Sequence, residues 1–170
     1  RRAISWDEAA PGTGDLPASA VGGAAEKEAA ISHAKCLLAL GNVANRHGRR
    51  VADHIAGRPS HPVASTGTAI VKVFDLVVAT VGWSERRLRA TGLPFRAIHS
   101  HPFDHAAYYS GATRMRAKLI FDPDEGTILG AQVVGRSGVD KWIDVIATSM
   151  AVGVSPDRPG ELELAYCSPV

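Results

Sequence analysis

The tightest constraint on this chain is a strand–turn–strand signal between residues 114 and 135. Residues 114–122 alternate strictly, with Met115, Ala117, Leu119 and Phe121 on one side and Arg114, Arg116 and Lys118 on the other. A period of two is the signature of a half-buried strand. The acidic, Pro- and Gly-containing run 122–126 (DPDEG) then turns the chain, and 127–135 (TILGAQVVG) returns it as an apolar strand. A hairpin follows, and with it an antiparallel sheet.

The flanking segments extend that sheet. Residues 69–81 (AIVKVFDLVVATV) are apolar on both faces, which predicts one central strand. Ser84 opens a short helix, SERRLRAT, closed by Gly92 and Pro94, and 95–99 (FRAIH) predict a further strand. Residues 139–152 are amphipathic, with Ile143, Ile146, Ala147 and Met150 at helical spacing. A last short strand is expected at Leu162, Leu164 and Tyr166. The order β–α–β–β–β–α–β predicts an α+β fold, an antiparallel sheet with helices packed on one face. The first strand and the 139–152 helix are expected to supply most of the core and dimer contacts.

The N-terminal part reads differently. Residues 1–23 are rich in Ala, Gly and Pro and lack periodicity, so they read as loop or disorder. Residues 24–40 are Ala-rich, with Ile31, Ala34, Leu37 and Leu38 spaced for a helix. Asn42 is placed to cap a second helix over 43–56 that shares Ala44, His47, Val51 and Ile55 on one face and stops at Gly57. Residues 58–68 form a Pro/Ser/Gly linker. The expected division is a poorly matched segment 1–40, a helix in 41–58, and a domain in 59–170.

Composition narrows the function. Apolar residues are 45% of the 170, enough for a core, and a net charge of +2 is too balanced to suggest nucleic acid. No apolar run reaches the roughly 18 residues of a membrane span. Cys36 and Cys167 form neither a CxxC pair nor a zinc knuckle, and read as reduced thiols of a cytoplasmic protein. Cys36 is expected to be buried on an apolar helix face. The start at Arg1-Arg2, with no Met and no leader, reads as a fragment without a signal peptide.

Five stretches, taken in order, resemble one family. They are 38–58 (LALGNVANRHGRRVADHIAGR), 67–82 (GTAIVKVFDLVVATVG), 101–113 (HPFDHAAYYSGAT), 121–147 (FDPDEGTILGAQVVGRSGVDKWIDVIA) and 162–166 (LELAY). They are similar to the C-terminal part of pyridine nucleotide-disulfide oxidoreductases, and most similar to the coenzyme A-disulfide reductase and NADH oxidase branch. The resemblance implies a dimerisation domain preceded by the end of a flavin domain. It implies a homodimer that works with FAD and NAD(P)H domains, around a redox-active centre, on coenzyme A or another thiol substrate. It implies that the helix after the ANRxGR-type segment points its N-terminus at the flavin, where a dipole favours the anionic reduced ring, with Asn45, Arg46 and Gly48 at the matching positions. His47 stands where the branch usually has Gln. Capping and solvation are the alternative roles for Asn45 and Arg46.

The resemblance also implies that Tyr108, Tyr109 and Tyr166 reach across the dimer toward the partner's thiol site. A phenol there donates a hydrogen bond to a developing thiolate or protonates it. Interface packing is the other role open to these rings. The chain has no GxGxxG, so tight flavin binding and catalysis by this chain alone are not expected. It reads as a fragment competent mainly to dimerise, or as a module beside separately encoded domains.

A rival pattern is sharper chemically. His99-Ser-His101-Pro, followed by Ser110 and Thr113, nearly copies the zinc motif of JAMM-type metalloproteases. His99 and His101 would share one side of a strand, as two ligands must. Thr113, however, stands where the third ligand is Asp, and the Asp104–His105 pair only partly matches the metallo-β-lactamase motif. The alternative is therefore a zinc hydrolase using His99 and His101. The basic cluster Arg86, Arg87 and Arg89 reads as a solvated face. Asp75, unusual within a strand, reads as paired with a neighbour such as Lys72, or as lying at an edge or the dimer seam.

Overall fold

The computed structural model describes residues 20–59, 64–155 and 162–165. The chain divides into two compact units, Arg1–Gly67 and Thr68–Val170.

Among its described residues the first unit holds a 3-10 turn, Gly22–Ala24, and two short strands, β1 (Lys27–Glu28) and β2 (Lys35–Cys36), paired antiparallel. The expected helix over 24–40 does not form. Alanine's helical advantage amounts to tenths of a kcal/mol per residue, and tertiary hydrogen bonds override it. Lys27 is only 1% exposed. Its ammonium donates to the Gly22 carbonyl (2.6 Å) and the Ala25 carbonyl (2.9 Å). His33, at a φ of +53°, turns the chain between the strands. Ala30 N–H donates to Ser65 O (3.0 Å) and Ser65 N–H to Glu28 O (2.9 Å). Cys36 is therefore half-buried in a strand, rather than sunk into a helix face.

Helix α1 spans Gly41–Ile55. It begins before the expected start, with Leu40 as the N-cap residue, so Asn42 lies inside the first turn, where its Oδ1 accepts from the Val43 amide (2.8 Å). Gly57, at φ +68°, ends it as expected. The buried face holds Val43, His47 and Arg50, rotated from the expected one, and Ile55 is exposed. Helical spacing alone left open which stripe would turn inward.

The second unit is a five-stranded antiparallel sheet of order β3-β4-β7-β6-β5. Its strands are β3 (Ala69–Val73), β4 (Leu76–Gly82), β5 (Arg96–Ser100), β6 (Arg116–Phe121) and β7 (Ile128–Gly135). Residues 69–81 are thus a hairpin rather than one central strand. The chain reverses at Phe74–Asp75, and β3 becomes a sheet edge. Asp75 marks that turn; its carboxylate lies 4.0 Å from Arg136 Nη1 and not at Lys72. The 114–135 hairpin forms as expected, with Asp122 Oδ1 accepting from the Asp124 and Glu125 amides (2.8 and 3.0 Å).

Helix α2 (Glu85–Thr91) ends at Gly92, and α3 (Val139–Val152) covers one face of the sheet. The core is Ala79, Val81, Met115, Ala131, Val133, Val139 and Ile143, with Ala117, Leu119, Ile146, Ala147 and Met150 packed against it. Of these, strand alternation selects Met115, Ala117 and Leu119, and helical spacing selects Ile143, Ile146, Ala147 and Met150; Phe121, expected with them, lies outside this cluster. Ile120 points to the opposite face and is also fully buried, which alternation did not anticipate. On that face Glu85 of α2 reaches Lys118 (3.0 Å). The α2 arginines are exposed, as expected of a solvated face, with Arg87 4.2 Å over the Trp83 ring and Arg89 paired with Glu85. Trp83 crosses β7 so closely that a Cβ on Gly130 would come 2.2 Å from the Trp83 carbonyl oxygen. Residues 162–165 do not form a strand, and Tyr166 lies outside the described residues. The fold class is the expected α+β.

Candidate functional site

The residues singled out on chemical grounds fall mainly in the loop joining β5 to β6. That loop begins and ends with strand-like pairing. Met115 N–H donates to Pro102 O (2.8 Å), Asp104 N–H donates to Thr113 O (3.0 Å), and Phe103 bridges Arg114. The Arg114 guanidinium stacks 4.4 Å over the Phe103 ring and donates to the His101 carbonyl (3.1 Å). The tip between these pairs carries Tyr108 and Tyr109.

Both rings face solvent, Tyr108 at 70% exposure and Tyr109 at 41%. Their centroids lie 4.7 Å apart at an interplanar angle of 39°. Tyr109 N–H donates to Ala106 O (3.0 Å), which folds the tip into a turn. Two adjacent exposed phenols on a braced loop suit a contact with another surface.

Asp104 lies buried at the base of this loop. Its Oδ1 accepts from the His105 and Thr113 amides, both at 2.9 Å, and lies 3.1 Å from His105 Nδ1. Its Oδ2 accepts from the Thr113 hydroxyl (2.7 Å) and the Ser137 hydroxyl (2.6 Å). Burial acts to raise its pKa, but the donors from Ser137, Thr113 and His105 outweigh it and hold the carboxyl well below the usual range. Sequence reasoning saw Asp104 and Thr113 only as flawed zinc ligands and missed Ser137 altogether. The 9-residue spacing from Asp104 to Thr113 and the 33-residue spacing to Ser137 carry no local signal.

The zinc pattern does not assemble. His99 lies on β5 and His101 just past it, both exposed. The Thr113 hydroxyl and the Asp104 carboxylate are engaged with each other. Among the described residues, no three His, Cys, Asp or Glu side chains cluster to hold a metal.

On α1, Asn45 and Gly48 are exposed and Arg46 is half-buried, while His47 is buried. Desolvation lowers the His47 pKa, and Lys27, Arg50 and Arg46 lower it further, so a neutral ring is favoured. The first turn holds no acidic residue, and a Cβ at Gly41 would meet nothing within 4 Å. An open helix start without a carboxylate suits the anionic edge of a planar ring. Nothing in the sequence supplies the Gly-rich loop that would grip its phosphates. Tyr166 and Cys167 lie outside the described residues. Among the described residues, no helix is long and apolar enough to cross a membrane.

A five-stranded sheet backed by one helix, with an apolar edge hairpin and a braced tyrosine loop, has the build of an association domain. The signature of the pyridine nucleotide-disulphide oxidoreductase dimerisation domain matches residues 68–163. The chain belongs to that family and carries its dimerisation domain. Coenzyme A disulfide reductase of Staphylococcus haemolyticus is 34% identical over 127 residues, which cover 74% of this chain and 28% of the relative. The enzyme of the same name from Staphylococcus aureus strain bovine RF122 is 33% identical over the same shares. Among solved structures, reduced Bacillus anthracis CoADR-RHD superposes with a TM-score of 0.92 at 38% identity, covering 97% of this chain and 30% of that one. A NAD-dependent persulfide reductase from A. fulgidus gives 0.92 at 34% identity, over 99% and 31%. The chain thus spans less than a third of each of these four relatives. Neither set of relatives supports the zinc-hydrolase alternative.

Proposed function

We propose that this chain is the C-terminal part of an FAD- and NAD(P)H-dependent disulfide reductase of the coenzyme A-disulfide reductase and NADH oxidase branch. Residues 59–170 form the dimerisation domain of a homodimer. Residues 41–58 close the flavin domain, and residues 1–40 precede that closing helix. The enzyme is cytoplasmic, and its substrate is coenzyme A disulfide or another thiol-derived disulfide. The family match over residues 68–163, joined to reductase relatives above 30% identity, carries this reading.

Two features of the domain support it. Ile70, Val71, Val73, Phe74, Leu76 and Val78 are all exposed on the β3–β4 hairpin, an apolar expanse that association would cover. The exposed Tyr108 and Tyr109, together with Tyr166, would then reach the partner's pocket. There a phenol donates a hydrogen bond to the thiolate released as the disulfide breaks. Asn45, Arg46 and Gly48 of α1 contribute to the flavin site, whose cofactor when bound passes electrons from NAD(P)H to the disulfide. The chain alone lacks the phosphate-gripping loop and is neither catalytic nor a tight flavin binder.

Sedimentation equilibrium of the purified chain across concentration tests the dimer. A reversible dimer is expected. A monomer at every concentration would remove the seam from this chain. In the parent flavoenzyme, Tyr109→Phe is expected to slow turnover of coenzyme A disulfide while leaving flavin content unchanged.

A further inference from the structure

The tyrosine loop runs through residues 101–115 with no helix or strand of its own, yet the proposed role of Tyr108 and Tyr109 requires their rings at a fixed place. Its two arms are paired to each other through Pro102–Met115, Asp104–Thr113 and Phe103–Arg114. That pairing fixes the shape of the loop, and Met115 at its end is sunk in the core. Nearer the tip, a hydrogen bond ties it to an element distant in the sequence: the Ser137 hydroxyl, just before α3, donates to Asp104 Oδ2 at 2.6 Å. Beside it, Gly138 stands at φ +70°, and a Cβ there would come 3.3 Å from the Asp104 carbonyl oxygen. The loop base and the start of α3 are in close contact at this point.

We infer that Asp104 is the positioning residue of this loop, its carboxylate fastening the Tyr108–Tyr109 tip to the start of α3 through Ser137 while Thr113 and the His105 amide hold it from within. The inference deepens the proposed function and rests on the tyrosines serving a thiol site. The chemistry suits the task. A carboxylate offers about four acceptor sites, and here four donors meet its two oxygens. Bonds to an ionised acceptor are roughly twice as strong as neutral ones. An amide at this position would turn an N–H toward two hydroxyls or two backbone N–H groups.

The test has a physical arm and a kinetic arm. In the 170-residue chain, Ser137→Ala removes the link to α3 and spares the bonds within the loop. Asp104→Asn disturbs both. With tyrosine rings labelled for NMR, both variants are expected to shift the Tyr108 and Tyr109 signals. Exchange of the Tyr109 amide should speed up on the order of tenfold, while the core amides of Ala131 and Val133 stay as they were. Unchanged tyrosine signals in Ser137→Ala, or core amides loosened as much as the loop, would overturn the inference. In the parent flavoenzyme, Asp104→Asn should cut turnover on the order of tenfold, with a smaller change in KM, by misplacing the phenol. The same change should add nothing to Tyr109→Phe. An equal further loss in that background would also overturn it. If Tyr109→Phe alone leaves turnover intact, the tyrosine reading falls, and the NMR arm still decides whether Asp104 positions the loop.

Discussion

Phe74 sits where a phenylalanine is costly. It holds a φ of +53° at the tip of the β3–β4 hairpin and is 94% exposed. Positive φ costs a residue with a Cβ about 1–2 kcal/mol, and asparagine tolerates it best among non-glycine residues. Within one chain almost none of this ring is buried to offset the cost. Phe74→Asn should therefore stabilise the isolated monomer by about 1 kcal/mol. If the hairpin lies in the dimer seam, the same change should weaken association. A phenylalanine buries roughly 200 Å² when covered, so covering half of it at about 25 cal/mol per Å² contributes about 2.5 kcal/mol per protomer. A two-fold seam loses this twice, about 5 kcal/mol, and ordering costs reduce what is observed. The dimer constant should rise by about tenfold to a thousandfold. Sedimentation equilibrium measures the association, and urea unfolding at a dilution where the chain is monomeric measures the stability. An unchanged dimer constant would take the hairpin tip out of the seam. A less stable monomer would refute the strain argument.

Other expectations follow from buried charge and close packing. The depressed Asp104 pKa means that its contribution is complete above the unfolded value near 3.8 and is lost as pH falls below it. Thermal melts from pH 6 to pH 2 should therefore steepen below about pH 4 in the native chain and flatten in Asp104→Asn. His47 follows the same sign: its lowered pKa makes α1 weaken as pH drops below about 6.5, so the protection of α1 amides, taken relative to their intrinsic exchange rates, should fall toward pH 5. A neutral replacement, His47→Gln, should remove that pH dependence. Gly130→Ala pushes a Cβ into the Trp83 backbone and should cost about 3 kcal/mol or leave the domain unfolded, read by urea titration.

Much of the second unit was legible because its signals are local. Alternation marked the core side of Met115, Ala117 and Leu119, helical spacing marked Ile143 and Ile146, and Gly92 stopped α2, as Gly57 did for α1 in the first unit. The hairpin within 69–81 was less visible, since a β-branched run hides its turn and only Asp75 interrupts it. The tyrosines at 108 and 109 entered through resemblance, as periodicity says nothing about a loop.

The sequence by itself determined the antiparallel strands and the helix that covers them, because periods of two and 3.6 residues and glycine stops act within one element; the family came from the resemblance of its ordered stretches. Only the tertiary structure decided that 24–40 holds a short strand pair and no helix, that Lys27 is buried, that α1 turns His47 and Arg50 inward, and that Asp104 joins Thr113 to Ser137. Those outcomes rest on hydrogen bonds between residues distant in the chain. A buried polar group takes the partner that folding brings to it, and no local pattern records which partner that will be.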